Sequence, residues 1–122
     1  MDDTRPVGRK ILVVEDEFLI ALHVENLIET IGHKTIGPAA SIKMANRYLL
    51  NETPCAALID LKLLDEFSTP LARRLRQARI PFAVMSAYAT LPDACLELSD
   101  VPRLEKPVLR AHLERTINTL LQ

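Results

Sequence analysis

The sequence predicts an α/β fold, a doubly wound five-stranded parallel sheet, and three observations carry that prediction. Short apolar runs alternate with segments of helical period, prolines separate them, and four of the runs end on a chemically active side chain. Lys10-Ile11-Leu12-Val13-Val14 runs into Glu15-Asp16-Glu17, and Ala56-Ala57-Leu58-Ile59 runs into Asp60. Phe82-Ala83-Val84-Met85 delivers Ser86, and a short last run delivers Lys106 before Pro107. Runs without polar alternation suit strands covered on both faces. Strands separated by single helices imply right-handed crossovers with helices on both sides of the sheet. For five such units the flavodoxin-like strand order is 2-1-3-4-5, with ligands bound beyond the carboxyl ends of the strands. That order makes the first and third strands neighbours and gathers Glu15, Asp16 and Asp60 at one rim.

The elements follow in turn. After the first strand, Ile20, Val24, Leu27 and Ile31 recur at helical spacing and Gly32 is a C-terminal stop, so residues 17–31 read as an amphipathic helix. Residues 33–37 form a short second strand. Ser41 then caps a helix with Ile42, Ala45 and Leu49 on one face, closed by Pro54. Beyond the Asp60 strand, Thr69-Pro70 has an N-cap and first-turn signature, and Leu71, Leu75 and Ala78 make the inward stripe. The outer face of that helix carries Arg73, Arg74 and Arg76, read as solvated. Between Ser86 and Lys106 there is room for a helix of only about two turns around 92–98. From Val108 a last helix turns Leu109, Leu113, Ile117, Leu120 and Leu121 inward.

Composition limits what the chain can do. At 122 residues it is long enough for one domain, expected as a polar N-terminal tail over 1–9 and a folded unit over 10–122. With 48% hydrophobic and 25% charged residues it is a globular rather than a disordered sequence. A net charge of -1 provides no overall basic field, so no nucleic-acid partner is expected. No stretch approaches the roughly 18 apolar residues of a membrane span, and a cytoplasmic protein without membrane contact is expected. Cys55 and Cys95 have neither ligand spacing nor a disulfide framework. His23, His33 and His112 show no ligand spacing either and read as solvated.

The predicted rim has a defined chemistry. Crowded carboxylates raise one another's pKa values unless a cation intervenes. Glu15, Asp16 and Asp60 set against Lys106 leave two negative charges, which one Mg²⁺ would neutralise. Mg²⁺ prefers oxygen ligands and retains waters and phosphate oxygens. Asp60, alone at its strand end, is the candidate nucleophile for phosphoryl transfer, with metal and ammonium stabilising the transferring group.

Ile11-Leu12-Val13-Val14-Glu15-Asp16-Glu17, Ala57-Leu58-Ile59-Asp60-Leu61, Met85-Ser86-Ala87-Tyr88 and Glu105-Lys106-Pro107, in that order and spacing, resemble the receiver domain of two-component response regulators. The resemblance spans about Lys10 to Leu121. It implies a signalling domain rather than an enzyme, one that assists its own phosphorylation and dephosphorylation. Asp60 would accept a phosphoryl group from a phosphohistidine on a sensor histidine kinase or histidine phosphotransfer protein. Asp16 would bind Mg²⁺ directly, Glu15 through water, and Lys62 through its backbone carbonyl. Ser86 and Lys106 would engage the phosphoryl oxygens, with a Lys106–Pro107 bond that such domains often hold cis.

The chain departs from the family pattern in places. Leu64 replaces a proline, Asp65-Glu66-Phe67-Ser68 replaces an acidic-glycine turn, and Arg103 stands where the switch aromatic is usual. Tyr88 is then the aromatic left to act with Ser86 as switch. The segment from Pro81 to Tyr88 is partly similar to an atypical alphaproteobacterial subgroup with a Phe-Ala-Thr-Gly-like stretch ending in tyrosine. A stand-alone receiver is expected, signalling to an unknown downstream protein through the fourth helix, fifth strand and last helix, or competing for phosphoryl groups.

Three other readings compete with it. A Mg²⁺-dependent aspartyl-nucleophile phosphohydrolase needs a second aspartate two residues beyond the nucleophile, where this chain has Lys62. A nucleotide- or flavin-binding domain needs a phosphate-cradling loop, and the three glycines form none. A phosphorylation-independent pseudo-receiver is kept open by the unusual segment after Asp60. Singly, Glu15-Asp16-Glu17 would be an ordinary acidic helix start and Asp60 a turn former. Their register with Ser86 and Lys106 is what turns the reading to function.

Overall fold

A computed structural model describes residues 7–87 and 90–122. The element order is β1 (Lys10–Val14), α1 (Phe18–Thr30), β2 (Lys34–Ala39), α2 (Ile42–Asn51), β3 (Ala56–Asp60), β4 (Lys62–Leu63), β5 (Glu66–Phe67), α3 (Thr69–Gln77), β6 (Phe82–Ser86), a 3₁₀ helix (Asp93–Leu98), β7 (Arg103–Glu105) and α4 (Arg110–Leu120). Five strands form one parallel sheet in the order β2-β1-β3-β6-β7, the expected 2-1-3-4-5 arrangement.

Because successive residues of a strand point to opposite faces, each central strand feeds two cores. Leu12, Val14, Ala57, Ile59 and Val84 pack with Ala45, Leu71, Leu75, Cys95 and Leu98 on the side of α2, α3 and the 3₁₀ helix. Ile11, Val13, Leu58, Ala83, Met85 and Leu104 pack with Val24, Ile28, Leu113 and Ile117 on the side of α1 and α4. β1 and β3 run in register from Ile11 opposite Ala56 to Val14 opposite Ile59, which brings the next residues, Glu15 and Asp60, side by side.

Local signals explain most boundaries. α1 ends in a Schellman motif, with Gly32 at φ 97° while its N–H donates to Glu29 and the His33 N–H donates to Ile28. Ser41 caps α2 by accepting the Met44 N–H at 3.1 Å. β2 outruns its expected end at Gly37 and continues to Ala39 through a cis Gly37–Pro38 bond and a shift in register against β1. The N-cap of α3 is Ser68 rather than Thr69, and the Ser68 hydroxyl donates to the Leu61 carbonyl instead of capping the helix. Ala78 falls at the exposed end of α3, and Ala72 takes the buried position expected of it. Leu109 is 67% exposed because the chain is still extended there as the N-cap of α4, and Val108 is the residue that turns inward.

His33 is buried rather than solvated, since its Nδ1 accepts the Arg9 backbone N–H. Burial, reinforced by the Arg9 charge, lowers its pKa. Nor are Arg73 and Arg76 simply solvated. Arg73 makes a bidentate pair with Glu97, at 2.7 and 3.1 Å, and Arg76 reaches the Glu97 carbonyl and the Asp100 carboxylate. These contacts tie the short 3₁₀ helix to α3. No helix among the described residues is long and apolar enough to cross a membrane.

Candidate functional site

β1, β3 and β6 end at the same edge of the sheet, and their last residues build the site. Glu15 and Asp16 follow β1, Asp60 closes β3 and Ser86 closes β6. Lys106 follows β7, its backbone N–H donating to the Ser86 carbonyl at 3.0 Å. Glu15, Asp60 and Ser86 are buried and Asp16 is half-buried. Carboxylate oxygens of Glu15, Asp16 and Asp60 lie within 4.8 Å of one another. The Lys106 ammonium sits between two of them, 2.6 Å from Glu15 Oε1 and 3.0 Å from Asp60 Oδ1. The contact to Glu15 is a close ion pair.

These charges act on one another in a low-dielectric edge. Burial first, then the hydrogen bond and charge of Glu15, push the Asp60 carboxyl up to about 7, with Lys106 pulling the other way. Burial also works to raise Glu15, but bonds to Lys106, Asp60 and the Glu17 N–H together hold it below the ordinary value. Lys106 is desolvated, yet its two carboxylate partners raise its pKa and keep it charged. Of the two coupled carboxyls, Asp60 is thus the one whose protonated form the surroundings favour.

The donor set fits a small hard cation. Three carboxylates against one ammonium leave two negative charges, and the partly exposed Asp16 leaves a side open to water ligands. A divalent ion there would favour the ionised form of Asp60.

Apart from Tyr88, each candidate from the sequence has a defined place. Glu15, Asp16, Asp60, Ser86 and Lys106 come together at the rim. Lys62 is adjacent, but its ammonium is turned away over the Phe67 ring, 5.5 Å from the centroid. The Lys106–Pro107 bond is cis. Tyr88 lies outside the described residues.

One part of the site was not legible in the sequence. β4 and β5 form a small antiparallel hairpin directly after Asp60, with Leu64 at φ 49° in its turn. The Leu64 N–H donates to Asp16 Oδ2 at 3.2 Å. The only available signal was negative, the absence of the proline and glycine usual in such a segment.

No protein-family model matches the chain. Among curated proteins it is 35% identical over 92 residues to the transcriptional regulatory protein PhoP of Escherichia coli K12, an alignment covering 74% of this chain and 41% of PhoP. The chain therefore spans less than half the length of that relative. Among solved structures it is similar to the receiver domain of the Erythrobacter litoralis response regulator PhyR, with TM-score 0.78, 27% identity and coverage of 94% and 91% of the two chains. It is also similar to the receiver domain of a Pseudomonas aeruginosa sensor histidine kinase that carries a magnesium ion in its active-site cleft. That match has TM-score 0.82 and 26% identity, covering 94% of this chain and 98% of the other.

Proposed function

Since this chain is a receiver domain of the two-component response-regulator family, we propose that Asp60 accepts a phosphoryl group from a phosphohistidine in a Mg²⁺-dependent reaction. The observation that carries this reading is the convergence of Glu15, Asp16, Asp60 and Lys106 at one buried edge. Glu15, Asp16, Asp60 and the Lys62 backbone carbonyl would hold the metal. Bound there, Mg²⁺ supplies charge neutralisation for the phosphoryl oxygens and keeps Asp60 ionised.

In the transfer, an Asp60 carboxylate oxygen bonds to phosphorus as the bond from phosphorus to the donor histidine nitrogen breaks, and that nitrogen keeps the electron pair. Lys106, already 3.0 Å from Asp60, stays in contact with the new dianionic group. Ser86, at the end of the neighbouring strand, supplies a hydroxyl to it. Phe18 and Leu19 are each 75% exposed at the start of α1, where an incoming donor protein would approach. A sensor histidine kinase or histidine phosphotransfer protein is the donor in this reading.

The downstream protein would bind the face made by the 3₁₀ helix, β7 and α4. At one end of that face a cleft of about 490 Å³ lies between β6, the 3₁₀ helix and β7, lined by Val84, Leu91, Leu96, Leu98, Val101 and Arg103. Shifts of Ser86 towards the phosphoryl group would alter this face and so its affinity. Competition for phosphoryl groups with another receiver is the other available output.

Incubation with acetyl phosphate and Mg²⁺ followed by intact-mass analysis tests the proposal. One phosphoryl adduct is expected on the wild type and none on Asp60→Asn or without Mg²⁺. One observation favours a second reading, a phosphorylation-independent pseudo-receiver: the Leu64 N–H already occupies an oxygen of Asp16. An unmodified wild type under these conditions would decide for it.

A further inference from the structure

Charge is spread unevenly over the two sides of the sheet: on one side α1 carries Glu25 and Glu29 and α4 carries Arg110, Glu114 and Arg115. On the opposite side, α2 and α3 together carry Lys43, Arg47, Arg73, Arg74 and Arg76 and no carboxylate. Glu97 and Asp100 neutralise Arg73 and Arg76. Among the described residues no ion pair reaches the other three, and all of them line a cleft of about 510 Å³ between α2, α3 and the β4–β5 hairpin. Glu66 is the one acid in its lining.

The cleft is not purely basic. Its wall includes Ile42, Pro70 and Leu50, the last 76% exposed, a large apolar side chain that water solvates poorly. Asn46 completes the lining between them.

We propose that the cleft between α2 and α3 docks an acidic protein segment, with carboxylates on Lys43, Arg47 and Arg74 and an apolar side chain against Ile42 and Leu50. Charge complementarity selects an acidic occupant, since three cations face one acid. The apolar wall selects protein over nucleic acid, whose phosphate backbone offers no aliphatic anchor. The site is separate from the phosphoryl edge and does not depend on it.

Fluorescein-labelled peptides of about 15 residues, long enough to form a helix, test the inference by fluorescence anisotropy on the full chain. One peptide combines glutamate and leucine on a helical repeat, a second has lysine for every glutamate, and an oligothymidylate strand replaces them in a third arm. Saturable binding of the acidic peptide is expected, with amide shifts in the nitrogen–proton NMR spectrum at Lys43, Asn46, Arg47 and Arg74. Raising NaCl from about 0.1 M to about 1 M, which shortens the screening length from about 10 Å to about 3 Å, should weaken it.

Arg47→Glu/Arg74→Glu should lose at least about tenfold in affinity. Arg47→Gln/Arg74→Gln, which adds no repulsion, should lose less while keeping the wild-type melting curve. Equal binding of the lysine peptide, tighter binding of oligothymidylate, shifts confined to another face, or wild-type affinity in both double variants would overturn the proposal. Concentration-dependent self-association abolished by the same variants would overturn it too, by making a second copy of this chain the occupant.

Discussion

Asp60 and Glu15 lie a few ångströms apart in nearly the same environment, yet they titrate in opposite directions because Lys106 and the Glu17 N–H serve Glu15 better. Asp60 has its folded pKa raised to about 7 from 3.8, so its contribution to stability is full below about pH 4 and is lost as pH rises through 7. Asp60→Asn removes that penalty. In Mg²⁺-free buffer at pH 8 the variant should be more stable than wild type by on the order of 2 kcal/mol, a rise of roughly 8 °C in melting temperature. At pH 4 the difference should nearly vanish, and a gain independent of pH would mean that Asp60 is not held protonated. Glu15 has the opposite sign: its lowered pKa gives stability present above 4.5 and lost as acid protonates it. The sequence made these five residues legible as candidates through their places at strand ends. It could not show which carboxyl has the raised pKa, because that depends on distances between side chains on three different strands.

At the scale of elements, two glycines with the same φ of 97° have different reasons to be glycine. A Cβ on Gly32 would meet only Val7 side-chain atoms at 3.6 Å or more, so Gly32→Ala pays backbone strain alone, about 1 kcal/mol. A Cβ on Gly37 would stand 2.7 Å from the Ala39 nitrogen and 3.0 Å from the Val13 carbonyl oxygen, both main chain that cannot move aside. Gly37→Ala should therefore cost appreciably more, roughly 2–4 kcal/mol, read as the difference between the two variants in urea melts. The 3₁₀ helix poses a different question, since six residues in this geometry have weak backbone bonding of their own. Buried Cys95 and Leu98 anchor it from below, and the pairs to Arg73 and Arg76 hold it from the side. Solvent screens such exposed pairs, so they add little to global stability. Arg73→Ala/Arg76→Ala should thus leave the melting temperature close to that of wild type. Its signature should be faster hydrogen exchange over residues 93–101, and unchanged exchange there would show that the core contacts suffice. The sequence foresaw a short helix here from the limited length between Ser86 and Lys106. It did not foresee the arginine contacts, because a helical wheel shows which side chains point outward and not what the next element places in front of them.

For the whole molecule, metal and fold are linked: any ion that binds only the folded state stabilises it by mass action. Mg²⁺ at 100 times its dissociation constant should raise stability by about 2.7 kcal/mol, and Asp16→Asn or Asp60→Asn should abolish most of that rise. A wild-type melting temperature indifferent to Mg²⁺ at pH 8 would argue against the proposed metal site. The β4–β5 hairpin connects this edge to the rest of the surface, since Leu64 binds Asp16 while Glu66, two residues on, lines the cleft between α2 and α3. The sequence by itself determined the order of strands and helices, the sheet topology and the rim of acids with its lysine. These follow from local period, proline breaks and the rule that parallel strands present their carboxyl ends to one side. Tertiary structure alone decided the burial of His33, the outward turn of Leu109, the hairpin that follows Asp60 and the raised pKa of Asp60. Each of these depends on what lies across a contact between segments distant in the chain, and neither hydrophobic period nor motif spacing records that partner.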